Sequence, residues 1–287
     1  LTTSAQDTNG YAISAPDVTW TSLGPDMATV DASGLVTAVD GGTATLKVES
    51  AGAMDSSVVS VREYALDFDG TGAYGVAATG LDLGMDSTWT VELWVRRDSA
   101  AGDQYLLDRS DAVGASNFQY ALLLHDGAPA FAARTGGGPG DWYQATAPDT
   151  LPIGTWHHLA ATYDSATAAL TLYVDGAAVT PTLTNPGKFG RMRAGKGSAV
   201  YLGAYGTSAG DGNFQGALDE VRIWSVARTG SQTANDYLKR LAGTQPGLAA
   251  YWPLDVGAGT AATDLTGAHP ATLNGTTWTI DAPDLHY

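Results

Sequence analysis

"GALDEVRIW" occupies residues 216–224. β-Branched and aromatic residues alternate there with charged ones, the period-two pattern of a strand with one face in a core. Inside it sits an acidic pair, Asp219–Glu220. Two adjacent carboxylates could be catalytic, hold a metal or lie on a wet face. Consecutive strand residues point to opposite faces, so the two are not expected to act together on one substrate. A glycosidase needs two carboxylates facing each other across a sugar, and the sequence offers no such pairing.

The same alternation recurs on both sides of this stretch. "TWTVELWVRR" (88–97) sets Val91, Leu93 and Val95 against Glu92, Trp94 and Arg96. "LTLYVDG" (170–176) sets Leu170, Leu172 and Val174 against Thr171, Tyr173 and Asp175. "QYALLLHDG" (119–127), "TWHHLAATYD" (155–164) and "AVYLGAY" (199–205) continue the series. Only "SQTANDYLKRLAG" (231–243) reads as helix, with Ser231 or Thr233 as cap and Gly243 as stop. The first sixty residues carry shorter strands, "DVTWTS" (17–22), "MATVD" (27–31), "GLVTAV" (34–39) and "GTATLKVES" (42–50). "SLGPD", "DASG" and "DGG" punctuate them as turns. The fold class expected is all-β, a small sandwich over 1–62 followed by a larger one over 63–287.

Composition narrows the function. The chain has 287 residues, 36 glycines, no cysteine and a net charge of −16. Such acidity opposes binding to nucleic acid, whose phosphates need neutralising. It suits an extracellular protein and supplies carboxylates for a hard cation. Without cysteine there are no disulfides and no thiolate metal sites. No apolar run is long enough to span a membrane as a helix, and no signal peptide is visible. The chain opens on Leu1 rather than Met, so an excised piece of a longer multidomain chain is expected.

Two family resemblances follow from these residues. The V-x-W, A-T-V-D, S-G-L-V-T-A and G-T-A-T segments, in order, resemble the bacterial Ig-like group 2 family, with the first strand of that domain missing. From residue 63, L-D-F-D-G, T-V-E-L-W-V, G-T-W-H-H-L-A-x-T-Y-D, L-x-L-Y-V-D-G and G-A-L-D-E-V-R-I-W resemble the laminin G-like/pentraxin-like superfamily and its concanavalin A-like jelly roll. The tail 247–278 is also similar, and would return to complete a sheet edge. The resemblance implies a structural calcium held by Asp67, Asp69, Gly70 and Asp219, pinning an early strand to a late one. Carboxylates and carbonyls from two distant segments suit an ion that takes six to eight oxygens. The bland alternative is solvated carboxylates, with Glu220 paired to Arg222.

Aromatic residues beside Asp, Asn and Arg suit a sugar, whose C–H face stacks on a ring while its hydroxyls meet polar groups. Three stretches read as loops of that kind. They contribute Asp108, Arg109 and Tyr120; Trp142 and Tyr143; and Tyr205, Asp211 and Asn213. Trp89, Trp94, Trp156, Trp224, Trp252 and Trp278 sit in strand patterns and read as core. His157 and His158 face opposite sides, which opposes one shared zinc. No Gly-x-Ser-x-Gly elbow or phosphate loop is present, and "RTGGGPGD" (134–141) reads as a flexible loop. The leading expectation is a non-catalytic, calcium-stabilised glycan-binding module of a secreted or cell-surface bacterial protein. A protein-binding adhesin or structural segment is the alternative, and a jelly-roll hydrolase or lyase a third.

Overall fold

Alternation becomes antiparallel pairing throughout. The computed structural model describes residues 1–6, 9–14, 16–77, 81, 88–100, 102–110, 118–136, 138, 140–164, 166–188, 192, 199–206 and 212–285. They form two units, Leu1–Glu63 and Tyr64–Leu285.

In the first unit, strands Thr19–Ser22, Gly42–Ser50 and Ala53–Val61 make one sheet, and Ala28–Val30 pairs with Val36–Ala38. The core is small. Ala28, Ala44 and Leu46 are buried, with Met27, Val30, Val36, Val59 and Val61 packed on them. The turn in "DASG" works as its residues dictate. Asp31 accepts hydrogen bonds from the Ser33 and Leu35 amides at 2.8 and 3.0 Å. Gly34 takes φ +83°, a conformation that costs residues with a Cβ.

The second unit is a jelly roll of two packed sheets. One runs Ala177–Val179, Ala169–Val174, Trp156–Asp164, Trp89–Arg97, Gln215–Trp224, Ala65–Asp69 and Thr277–Thr279, with Leu248–Trp252 also paired to Gln215–Trp224. The other runs Thr182–Thr184, Trp142–Thr146, Ala128–Arg134, Phe118–His125, Gln104–Ser110, Ala199–Leu202, Tyr74–Ala77, Ala271–Asn274 and Ala261–Ala262. The tail therefore supplies edge strands to both sheets. Between the sheets lies an apolar layer that includes Val91, Leu93, Val95, Tyr120, Leu122, Phe131, Tyr143, Leu159, Val221 and Ile223. At its centre the buried Trp89 ring stacks on Tyr163 at 5.7 Å and Tyr120 at 6.4 Å, and tilts against Phe131 at 4.7 Å.

The helix is shorter than its periodicity suggests. It spans Gly230–Asp236, capped by Thr229 in a reciprocal box with Gln232. Its continuation is pre-empted by the sheet beneath. The Tyr237 carbonyl accepts from Trp94 Nε1 at 2.8 Å, and the Lys239 carbonyl accepts from Arg222 at 2.6 Å. Those acceptors are therefore turned toward the sheet.

Candidate functional site

The acidic pair of "GALDEVRIW" lies on one face, against the expectation of opposite faces. Pairing with Trp89–Arg97 runs Glu92↔Arg222 and then Trp94↔Asp219, so Leu93 opposes two residues. Glu220 is the extra residue of this bulge and has φ +51°. Leu218 and Val221 both stay in the core, which turns Asp219 and Glu220 outward together. Gly216 opens the strand because a Cβ there would stand 2.1 Å from the Arg96 carbonyl oxygen.

That outward face is not wet. The segment 229–241 covers it, and Glu92, His158, Asp219, Glu220, Arg222 and Arg240 are all buried. Glu220 pairs with Arg222 and accepts from the Tyr251 hydroxyl at 2.6 Å. Arg222 also approaches Glu92 at 3.4 Å and lies over the Tyr251 ring at 5.0 Å. Arg240 stands 3.6 Å from Glu220. Burial pushes Glu92 upward, but Arg222, His158, Arg228 and the Trp224 N–H hold it below the ordinary carboxylate range. Asp219 goes the other way: burial first, then the Glu220 charge, raises it well above. Glu92, Glu220, Arg222 and Arg240 form a structural ion network, with Asp219 buried beside it.

The register does not bring the four expected calcium ligands together. Asp69 lies opposite Gln215 and Asp67 opposite Ala217, while Asp219 is two residues beyond Ala217. Four strand positions between Asp69 and the level of Asp219 amount to ~13 Å, whereas calcium ligands sit ~2.4 Å from the ion. Asp69 and Asp67 are also engaged locally, while Asp219 Oδ1 accepts from the Glu220 amide at 2.9 Å and its buried Oδ2 has no partner. Asp69 caps its own turn, accepting from the Thr71, Gly72 and Ala73 amides and the Thr71 hydroxyl. These bonds lower it to about 2. Gly70 forms that turn at φ +76°. Asp67 faces Arg96 at 3.5 Å, and Arg96 also holds Asp98 and Asp281 at 3.0 and 2.5 Å. A guanidinium stands where several carboxylates converge. As placed, these donors do not make one calcium shell, and no group of three or more His, Asp or Glu side chains suited to a metal occurs among the described residues.

Asp69→Ala is expected to lose ~1 kcal/mol, the ordinary cost of a lost cap. Melts of parent and variant, each with calcium and with chelator, check this. The expected loss is the same in both; a loss confined to calcium would put an ion at Asp69.

Of the sugar-type residues, Asp108, Trp142 and Tyr205 lie on the outer face of the nine-stranded sheet. Asp108, Arg109, Tyr120, Trp142 and Tyr143 come from strands rather than the loops expected, so alternation sorts them, while Tyr205 and Asn213 lie outside strands. On Trp142–Thr146, Trp142 faces out and is half-buried, while Tyr143 lies in the core. On Phe118–His125, Tyr120 is core, stacked on Trp89. Those two candidates face away from any ligand. Tyr205 is on the outer side, its ring 4.7 Å from Tyr105 and 6.3 Å from Phe118. Asp108 pairs opposite Ala121 on one side and Tyr201 on the other. It is fully buried, accepts from the Ser110 hydroxyl at 2.7 Å and the Gly206 amide at 3.1 Å, and has no partner at Oδ1. Burial raises it to about 7, against the pull of those two bonds. Arg109 is buried and donates to Gln119. Asn213 is buried with neither side-chain polar atom hydrogen-bonded. Asp211 lies outside the described residues.

The structure adds residues that the motifs did not mark. Arg134 pairs opposite Trp142, with its guanidinium 5.1 Å from the Phe118 ring. Gln144 pairs opposite Ala132 on the same row. Tyr74 stands 6.2 Å from Tyr201. Arg134 and Gln144 sit on or beside the Ala-rich strand Ala128–Arg134, whose small side chains hid its alternation. The glycine-rich loop is tethered, since Asp141 accepts from the Gly138 amide and from Lys188, each at 2.9 Å.

Of the two histidines, His157 pairs with Asp175 at 2.8 Å. His158 is buried between Trp94 and Tyr237 with neither nitrogen hydrogen-bonded. Trp89, Trp94, Trp224 and Trp252 are buried as expected, while Trp156 and Trp278 are half-buried.

Comparison with known proteins fits this architecture. The bacterial Ig-like domain family matches residues 16–59. The concanavalin A-like lectin/glucanases superfamily matches residues 69–234, more than half of the chain. Comparison with curated proteins finds no match. Among solved structures, a candidate carbohydrate binding protein from Bacteroides ovatus is similar at 21% identity and TM-score 0.59, covering 94% of this chain and 81% of that one. The sialidase CBM40 of Ruminococcus gnavus bound to α2,3 sialyllactose is 13% identical, with TM-score 0.46, 61% of this chain and 97% of that one covered. The Limulus polyphemus SAP-like pentraxin is 17% identical, with TM-score 0.45 and coverages of 61% and 82%. At 21% identity the Bacteroides ovatus structure speaks to the fold alone. No described helix is long and apolar enough to cross a membrane. The chain belongs to the concanavalin A-like lectin/glucanases superfamily, with a bacterial Ig-like domain ahead of its jelly roll.

Proposed function

We propose that this chain is a non-catalytic carbohydrate-binding module of an extracellular protein, its glycan lying on the outer face of the nine-stranded sheet. One observation carries the reading. The half-buried rings of Tyr105, Trp142 and Tyr205 share that face with Asp108, Arg134 and Gln144, all but Tyr205 on strands that hold them rigid. Rings stack on sugar C–H faces and the polar groups meet hydroxyls. A preformed sheet spends little ordering entropy on binding. The superfamily match and the similarity to a candidate carbohydrate binding protein support the same reading.

The test is a glycan array with the parent and with Trp142→Ala, followed by assay of reducing ends and unsaturated products on any glycan bound. The expected result is a specific hit with no product, weakened about tenfold in the variant, since one lost aromatic contact is worth ~1 kcal/mol or more. A blank array with a folded protein would favour the adhesin reading. Released product would overturn the non-catalytic one.

A further inference from the structure

Asp108 is the most costly group on this face. A carboxylate taken out of water needs a counter-charge or a full set of donors. It has two donors, Ser110 and Gly206, both on Oδ2, while Oδ1 is buried without a partner. No cation stands beside it among the described residues, and its charge is held only against burial. The groups facing it are aromatic. On its own strand is Tyr105; across the pairing is Tyr201, with Tyr74 behind; next to Gly206 is Tyr205, packed on Tyr105 and near Phe118. The Asp108 charge reaches the Tyr105 and Tyr201 hydroxyls and pushes both upward, after burial. Across the pairing on the other side Asp108 meets only Ala121.

An unsatisfied buried carboxylate beside a cluster of aromatic rings favours one ligand chemistry. Ring faces attract cations, and a carboxylate that lacks a counter-ion gains most from one. Neutral hydroxyls would satisfy Oδ1 but leave the charge uncompensated. An acidic sugar would meet a like charge in a chain that already carries −16. We propose that the aromatic cluster around Asp108 recognises a protonated amine, so that the glycan selected carries unacetylated amino sugars. This rests on the glycan-binding reading and deepens it.

Titration calorimetry with three matched oligomers tests it: a β-1,4 tetramer of glucosamine, its fully N-acetylated counterpart and the glucose tetramer. A small quaternary ammonium salt serves as a fourth probe and separates an amine on a sugar from an ammonium alone. The glucosamine tetramer is expected to bind the parent at least tenfold more tightly than the other two tetramers and the salt. Binding of a cation should also expel the proton that Asp108 holds. The measured heat should therefore depend on the buffer's ionisation enthalpy in the parent and not in Asp108→Asn. Asp108→Asn removes a buried charge at nearly constant shape and is expected to fold, which its melt checks; it should bind all three tetramers about equally. Equal binding of the three by the parent, or preference for the acetylated tetramer, would overturn the amine inference and leave the glycan reading standing. So would a hit on some other glycan with none of the three bound. Preference for the salt would move the ligand from sugar to free ammonium and overturn the amino-sugar part. No glycan bound on any array would sink both.

Discussion

Arg222→Ala is expected to lower the melting temperature of the jelly roll by on the order of 10 °C. Arg222 is fully buried, pairs with Glu220, approaches Glu92 and donates to the Lys239 carbonyl. Deleting it removes the guanidinium that bridges the buried Glu92 and Glu220, leaving Arg228 and His158 on one and Arg240 on the other. Removing one partner of a buried ion pair costs about 3–5 kcal/mol, and a domain of this size shifts by about 2–4 °C per kcal/mol. Replacing the network in concert tells whether the pairing or the packing matters. Arg222→Met combined with Glu92→Gln and Glu220→Gln removes the charges and keeps most of the volume, and is expected to recover most of the loss. A thermal melt of parent, single and triple variants checks both. A single variant within 2 °C of the parent would mean that water reaches this face and the network is not dry.

The second large effect is on pH. His158 is buried against Trp94 and Tyr237, and burial lowers its pKa from 6.5 to about 4, with Glu92 pulling the other way. The folded protein therefore resists a proton that the unfolded chain accepts. Stability is full above pH 6.5, falls as pH drops toward about 4, and changes no further below it through this group. The span corresponds to ~3 kcal/mol. Asp108 acts with the opposite sign. Its pKa is raised by burial from 3.8 to about 7, so the folded state keeps a proton that the unfolded chain has lost, and stability falls as pH rises across that window. The two offset in the parent and separate in variants. Relative to the parent, His158→Phe is expected to be progressively favoured as pH falls through 6 to 4. Asp108→Asn should be favoured as pH rises through 4 to 7, and indifferent below. Denaturant melts at pH 4, 5.5, 7 and 8 read both slopes; parallel profiles for parent and His158→Phe would mean that His158 is not shielded from water.

A carboxylate that costs stability at neutral pH is the kind of residue a binding face retains for use rather than for folding. This is the sense in which Asp108 differs from Glu92 and Glu220. The latter are also buried, but each is matched to a guanidinium, and their burial is part of the scaffold. Trading Asp108 for Asn therefore separates stability from binding, with gains in the first and losses in selectivity.

Much of the fold was legible because alternation is local. Val91, Leu93 and Val95 against Glu92, Trp94 and Arg96 appear in the structure with that assignment of faces. The strand "GTATLKVES" runs over Gly42–Ser50 as read. Strands with small or mixed side chains were not legible. Gln104–Ser110 and Trp142–Thr146 carry little contrast between faces, so their residues read as loops in the sequence. Trp142 and Tyr143 are both ligand candidates by residue type, but they are adjacent in a strand and only Trp142 faces outward.

By itself, then, the sequence determined the all-β class, the small domain ahead of a larger sandwich, and the family of that sandwich. All three follow from local period-two patterns, turn residues and short motifs that need no knowledge of partners. Tertiary structure alone decided the fate of the carboxylates. One extra residue opposite Leu93 turns Asp219 and Glu220 to the same side, and a covering segment makes that side dry. Pairing register separates Asp69 from Asp219, while Arg96 collects Asp67, Asp98 and Asp281. A carboxylate's role depends on its counter-charges and its access to water, and both are set by residues distant in the chain.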